Sequence, residues 1–105
     1  MPKRTFSSIL YDNLSEAYWE LGDYEAGLRA ARQLLVDLPD YYFGHVFEAM
    51  NLVGLERLDE ARAIIDAVRQ AHLELSQATV QVIYGVERPA IDARRNAALQ
   101  LAGLE

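Results

Sequence analysis

The sequence resembles itself at an offset of 34 residues, and this self-similarity constrains the fold more than any other feature. Aromatic, aliphatic and small side chains recur together between residues 18–34 and residues 52–68. The matched pairs are Tyr18 with Leu52, Leu21 with Leu55, Tyr24 with Leu58, Gly27 with Ala61, Ala31 with Ile65, and Leu34 with Val68. Both windows carry apolar side chains at three- and four-residue steps around a short turn. The period therefore predicts stacked helix–turn–helix units.

Five to six helices are predicted along the chain. Apolar side chains at helical spacing predict helices over residues 8–21, 24–38, 41–55 and 58–72. The Asp23 carboxylate is expected to cap the second helix. Residues 77–86 are rich in β-branched side chains, but a lone strand would have no partner, so a helix is predicted there as well. Pro89 suits the first turn of a last helix that runs to Leu101.

Composition restricts the chemistry and the class of partner. The chain has no cysteine, which excludes disulfides and metal sites built from cysteine. Sixteen acidic residues against ten basic ones give a net charge of −6, which disfavours nucleic acid and anionic membranes as partners. No apolar stretch is long enough for a membrane span or an export signal, so we expect a cytoplasmic protein. No cofactor-binding motif occurs in the sequence, so we expect no cofactor.

Residues 8–41 resemble the tetratricopeptide repeat, whose pattern is Trp-x2-Leu-Gly-x2-Tyr followed by Ala, Phe, Ala and a closing Pro. The corresponding positions carry Tyr11, Leu14, Ser15, Tyr18, Gly27, Ala31 and Pro39. Residues 42–75 resemble a looser second repeat, and residues 76–105 a degenerate third repeat or a capping pair. The resemblance implies a single all-α domain over residues 1–105, an antiparallel helix–turn–helix array that winds into a right-handed superhelix. A helical bundle with a chance period is the open alternative.

The resemblance also implies a concave groove lined by the first helix of each pair. Asp12, Glu16 and Glu20 step by four along the first helix, and no basic residue lies within residues 5–28. The resemblance puts these carboxylates on groove-facing positions, where they would form an acidic wall for a basic partner. A solvated helix face is the alternative. Some family members hold a peptide carboxylate with Lys and Asn; only Asn13 is retained from that clamp, so an acidic tail should be repelled.

The third predicted helix would supply an apolar wall to the same groove. The residues at the corresponding positions are Phe43, Val46, Phe47 and Met50, with Trp19 projecting from the first helix and Val80 and Tyr84 facing from the fifth. These side chains either pack as core against residues 76–86 or form an exposed patch. Exposed apolar patches usually mark interfaces.

Catalysis is not expected from this sequence. His45 and His72 lie on different predicted helices, and no nucleophile motif, phosphate-binding loop or metal-ligand spacing occurs. We therefore predict a non-catalytic protein–protein interaction module that binds a basic or amphipathic peptide or helix in the groove. The alternative is a self-associating scaffold or assembly subunit, a homo-oligomer, that uses the same apolar surface.

Overall fold

The all-α fold class predicted from the sequence is confirmed. The structure, a computed structural model, describes residues 6–84 and 88–105, with the side chains of Phe6 and Tyr84 excluded. Within these ranges the helices are α1 (Phe6–Leu21), α2 (Tyr24–Asp37), α3 (Tyr42–Gly54), α4 (Leu58–Ala71), α5 (Gln77–Tyr84) and α6 (Pro89–Leu101). The β-branched segment after residue 76 is therefore helical, and the predicted helix ends agree to within a few residues. The last two residues predicted for α5 lie outside the described ranges.

The backbone of the first two helix pairs repeats at the 34-residue offset seen in the sequence. In the turn after α1, the Asp23 N–H donates to the Tyr18 carbonyl over 2.9 Å. In the turn after α3, the Arg57 N–H donates to the Leu52 carbonyl, also over 2.9 Å. This six-residue loop satisfies a carbonyl that the end of a helix would otherwise leave without a partner. The two turns thus share one hydrogen-bonding scheme.

The second helix of each pair also ends in the same way. The residue after α2, Leu38, has φ −131° and ψ 73°, and the residue after α4, His72, has φ −133° and ψ 80°.

The turns after α1 and after α3 each contain a residue in the left-handed conformation, which is Gly22 in the first turn (φ 80°) and Glu56 in the second (φ 62°). A left-handed conformation costs a non-glycine residue about 1–2 kcal/mol. The second turn therefore keeps the geometry of the first despite a less suitable residue.

Glycines allow α2 and α3 to pack closely on each other. A Cβ added at Gly27 of α2 would lie 2.1 Å from Asn51 Oδ1 of α3. A Cβ at Gly54 would lie 2.4 Å from the ring of Tyr24, so this ring fills the space that the glycine leaves. Both distances are far shorter than any van der Waals contact, and each glycine thus sets the approach of two helices.

Of the two alternatives for the predicted apolar wall, core or exposed patch, the structure shows core, and α6 packs on α3. Trp19, Phe43, Val46, Phe47, Met50 and Val80 are each between 0% and 6% exposed and belong to the main core cluster. The end of α6 and the residues after it add Ala98, Leu99, Ala102 and Leu104 to the same cluster. Burying these side chains is favourable by about 1.5–3 kcal/mol for each large one. The predicted wall is therefore core, covered mainly by α6 rather than by residues 76–86.

Candidate partner-binding groove

Two of the acidic residues predicted to line the groove, Glu16 and Glu20, contact arginines in α6 or directly before it. Glu16 and Glu20 keep only 18% and 19% of their side-chain surface exposed, and Asp12 is buried. We call the surface formed by Glu16, Trp19 and Glu20 together with α3 the α1/α3 face. Because α6 covers this face, the stripe of carboxylates is not a solvated helix surface.

Two ion pairs join α6 to α1. Arg88, just before α6 begins, pairs with the Glu20 carboxylate. Within α6, the Arg95 Nη2 lies 3.8 Å from Glu16 Oε1, and the Arg95 Nη1 donates to Asp92 Oδ1 over 2.8 Å. The Arg95 side chain is fully buried, which is unusual for an arginine unless it is paired. Charge contacts therefore link α1 to the residue that precedes α6 and to the middle of α6.

Clustering of acidic groups shows in the titration of Glu16. Burial raises the pKa of Glu16, the Arg95 charge opposes this rise, and the neighbouring carboxylates of Glu20 and Asp12 add to it. The charged form of Glu16 is thus less favourable in the folded protein than in water.

Arg94 makes the most directional contact between the two helices. Its Nη1 donates to the Glu20 carbonyl over 3.0 Å, and its Nη2 donates to the Trp19 carbonyl over 3.1 Å. Its guanidinium carbon lies 4.6 Å from the centroid of the Trp19 ring, within cation–π range. One side chain of α6 therefore binds two carbonyls and the indole at the end of α1.

The other predicted groove residues are divided between core and surface. The Tyr41 hydroxyl donates to Asp12 Oδ2 over 3.3 Å, so Asp12 also links α1 to the start of α3. Asn13 is exposed, unlike the three carboxylates. Val80 of α5 is fully buried in the core. The Tyr84 side chain lies outside the described residues.

The sequence patterns did not predict which arginines contact this face; they are Arg88, Arg94 and Arg95. The signal was present as charge complementarity, since three of the ten basic residues fall within eight positions of a chain whose residues 5–28 carry none. Burial of Arg95 could not be found from hydrophobic periodicity, because that pattern treats every arginine as a surface residue.

A cavity on another part of the surface is lined by both histidines of the chain. It has a volume of about 720 Å³ and lies between α3 and α4, with Ile64 and Val68 among its apolar lining residues. The His72 ring stacks on Tyr42 with centroids 4.2 Å apart, and His45 lies on the same cavity. The structure thus brings together two histidines that the sequence left unconnected.

A hydrogen-bonded acid–base group forms the polar end of this cavity. Glu48 accepts from Arg32 Nε over 3.0 Å, and its other oxygen lies 3.2 Å from His45 Nδ1. The hydrogen bond with Glu48 raises the pKa of His45, against the opposing effect of burial. Burial alone would raise the pKa of Glu48, but the combined contacts with His45 and Arg32 lower it. Among the described residues, no three His, Cys, Asp or Glu side chains are placed to hold a metal ion.

No helix in the described ranges combines the length and the apolar character needed to cross a bilayer.

Comparisons with known proteins found no relative of this chain. No family model matches the chain, and neither curated proteins nor solved structures give a match. The resemblance to tetratricopeptide repeats accordingly stays a prediction drawn from the residues quoted above.

Proposed function

We propose that the protein is a non-catalytic protein–protein interaction module that binds a basic, amphipathic helix on the α1/α3 face. In this proposal residues 8–75 are two tetratricopeptide-like repeats that form part of a right-handed superhelix. The protein acts in the cytoplasm. The single observation that carries the proposal is α6 with the Arg88 that precedes it: Arg95 and Arg88 contact Glu16 and Glu20, while the apolar residues of the helix join the core. The face is thus able to accept a helix of that chemistry.

Support for the repeat assignment comes from the backbone. The turns after α1 and α3 share one hydrogen-bonding scheme, and α2 and α4 end with matching dihedrals. These similarities occur at the 34-residue offset that is typical of tetratricopeptide repeats.

The proposal treats α6 as an exchangeable occupant. An external helix would have to displace α6, so its apparent affinity falls with the small fraction of molecules in which α6 is released. A variant that weakens α6 without altering the α1/α3 face should therefore bind an external helix more tightly. Leu99, which is fully buried on α6, offers such a variant, and Leu101, which is 50% exposed on the same helix, offers a matched control.

The test measures binding of a fluorescent peptide of residues 88–105 to the full chain by anisotropy. Truncating a buried leucine to alanine costs about 2–5 kcal/mol, so Leu99→Ala should tighten peptide binding by roughly 30-fold or more. Leu101→Ala should leave binding unchanged. Helix content by circular dichroism shows whether each variant remains folded. If folded Leu99→Ala binds the peptide no better than Leu101→Ala does, the proposal fails.

Self-association is the second candidate, because the helix that fits the face belongs to this chain. In that case α6 of one copy would bind the α1/α3 face of another through the same residues. Light scattering during size-exclusion chromatography, over a wide range of protein concentration, separates the two candidates. A mass that stays monomeric at the highest concentration contradicts self-association and leaves the interaction module standing.

A further inference from the structure

The C-terminal end of α1 holds one arginine of α6 in a way that a lysine could not reproduce. Arg94 donates from two different nitrogens to two successive carbonyls, those of Trp19 and Glu20, over 3.1 and 3.0 Å. Its planar group also lies over the Trp19 indole at 4.6 Å. A lysine ammonium is a compact point charge without a planar face, so it cannot make this fork and the stacking contact together.

The C-terminal end of α1 carries a partial negative charge that favours a cation. Carbonyls in the last turn of a helix have no partner within the helix and carry the negative end of its dipole. The last turn of α1 contains no basic residue of its own. Arg94 therefore supplies from α6 the cation that α1 does not provide.

The neighbouring arginine contact differs in kind. Arg88 keeps 60% of its side-chain surface exposed and contacts a carboxylate, that of Glu20. A contact of this kind depends on charge more than on shape, and it is screened by salt. Lysine should replace arginine at position 88 with little loss, which makes this position, directly before the same helix, a control.

We propose that the Trp19–Glu20 end of α1 is an arginine-selective subsite, and that the helices bound by the α1/α3 face carry an arginine there. In α6 this arginine precedes a buried alanine by four residues and a buried leucine by five, Ala98 and Leu99. The partner is thus an amphipathic helix with an arginine at one position, a small residue four later and a leucine five later. This inference rests on the proposed function and names the chemistry of its ligand.

Substitutions within the full chain test the subsite directly. Arg94→Lys keeps the charge but loses the fork and the stacking, so the urea midpoint should fall nearly as far as in Arg94→Ala. Arg88→Lys should keep the midpoint of the unsubstituted protein. The chain has one tryptophan, so its emission reports on the Trp19 ring alone. Emission should change in both Arg94 variants and stay constant in Arg88→Lys.

Peptides test the same subsite in an external helix. Full-chain Leu99→Ala is titrated with the peptide of residues 88–105, either unsubstituted or carrying Arg94→Lys or Arg88→Lys. Hydrogen bonds from charged groups are worth about 1.5–3 kcal/mol, so Arg94→Lys should weaken binding by roughly tenfold or more. Arg88→Lys should change binding by less than about threefold. The weaker binding of the Arg94→Lys peptide should persist at high salt, because this peptide and the unsubstituted peptide have the same charge.

Two outcomes separate this inference from the proposed function. If the Arg94→Lys peptide and the Arg94→Lys chain match their unsubstituted forms, the subsite is not arginine-selective, although the face still binds a helix. If no peptide binds, helix exchange on this face is contradicted, and the midpoints and emission of the chain variants alone decide whether the subsite selects arginine.

Discussion

Replacing Arg95 by methionine tests whether charge holds α6 on α1. The Arg95 guanidinium is fully buried, 2.8 Å from Asp92 Oδ1 and 3.8 Å from Glu16 Oε1. Its Nε and Nη2 have no hydrogen-bond acceptor within the described ranges. Methionine is flexible and apolar, so it can fill most of the space without supplying a cation.

Breaking a buried ion pair by removing one member costs about 3–5 kcal/mol. Two features of the site reduce this figure. The Glu16 and Asp92 side chains remain 18% and 16% exposed, so water partly stabilises their charges once the cation is gone. The buried guanidinium is itself incompletely hydrogen-bonded, so its removal relieves some desolvation. We expect Arg95→Met to lower the free energy of unfolding by about 2 kcal/mol, which corresponds to roughly 8–16 °C in Tm.

Urea unfolding followed by circular dichroism and by Trp19 emission measures this loss. Arg69→Met, at an exposed arginine on α4, is the matched control and should cost less than about 0.5 kcal/mol. Adding Glu16→Gln and Asp92→Asn to Arg95→Met removes the carboxylates near the missing cation and should restore much of the stability. The reasoning is refuted if Arg95→Met is as stable as Arg69→Met, or if the triple variant recovers nothing.

Three further predictions concern packing and titration. Gly27→Ala should lower the free energy of unfolding by about 1–3 kcal/mol, because its Cβ displaces buried Asn51 from a hydrogen bond; in an Asn51→Ala background a double-mutant cycle should show the same change to be neutral or stabilising. Glu16→Gln should be more stable than the unsubstituted protein at neutral pH. The raised pKa of Glu16 means that the free energy of unfolding falls as pH rises through the folded pKa. In acid, the unfolding free energies of the variant and of the unsubstituted protein should converge. His45→Gln should be most destabilising between pH 4.5 and 6.5, the ordinary pKa values of its partner Glu48 and of histidine. In this range the raised pKa of His45 adds stability, which disappears as pH rises through the folded pKa of the histidine. Urea midpoints measured from pH 4 to about 8.5 should show that difference shrinking above neutrality, and a constant difference contradicts the His45–Glu48 contact.

Much of the helical architecture follows from local rules. The Asp23 carboxylate accepts from the Ala26 N–H over 3.3 Å, as expected for a residue that caps α2. Pro89 lies in the first turn of α6, and Gly103 after that helix has φ 91°, the left-handed conformation that ends many helices. Each of these features depends on a few residues in one turn, so the sequence is sufficient to predict it.

The surroundings of the acidic stripe could be predicted only in part. Residues four apart on a helix lie above one another, so the spacing predicts that the three carboxylates share one helix face. What covers that stripe depends on residues about seventy positions away, as in the contacts of Arg94 with Trp19 and Glu20. Nothing in the spacing of α1 indicates which distant helix will meet it.

Local patterns in the sequence were enough to predict five to six helices, their turns, a 34-residue period and a local excess of negative charge. They could not predict that α6 lies against α1 and α3, that Phe47 and Met50 are core, or that a fully buried Arg95 approaches Glu16. Helix formation and capping are set within a few consecutive residues, whereas the burial of a surface is decided by whichever part of the chain covers it most favourably. Here a short, arginine-bearing helix covers it, and the net charge of −6 includes an acidic face that the chain's own arginines already contact.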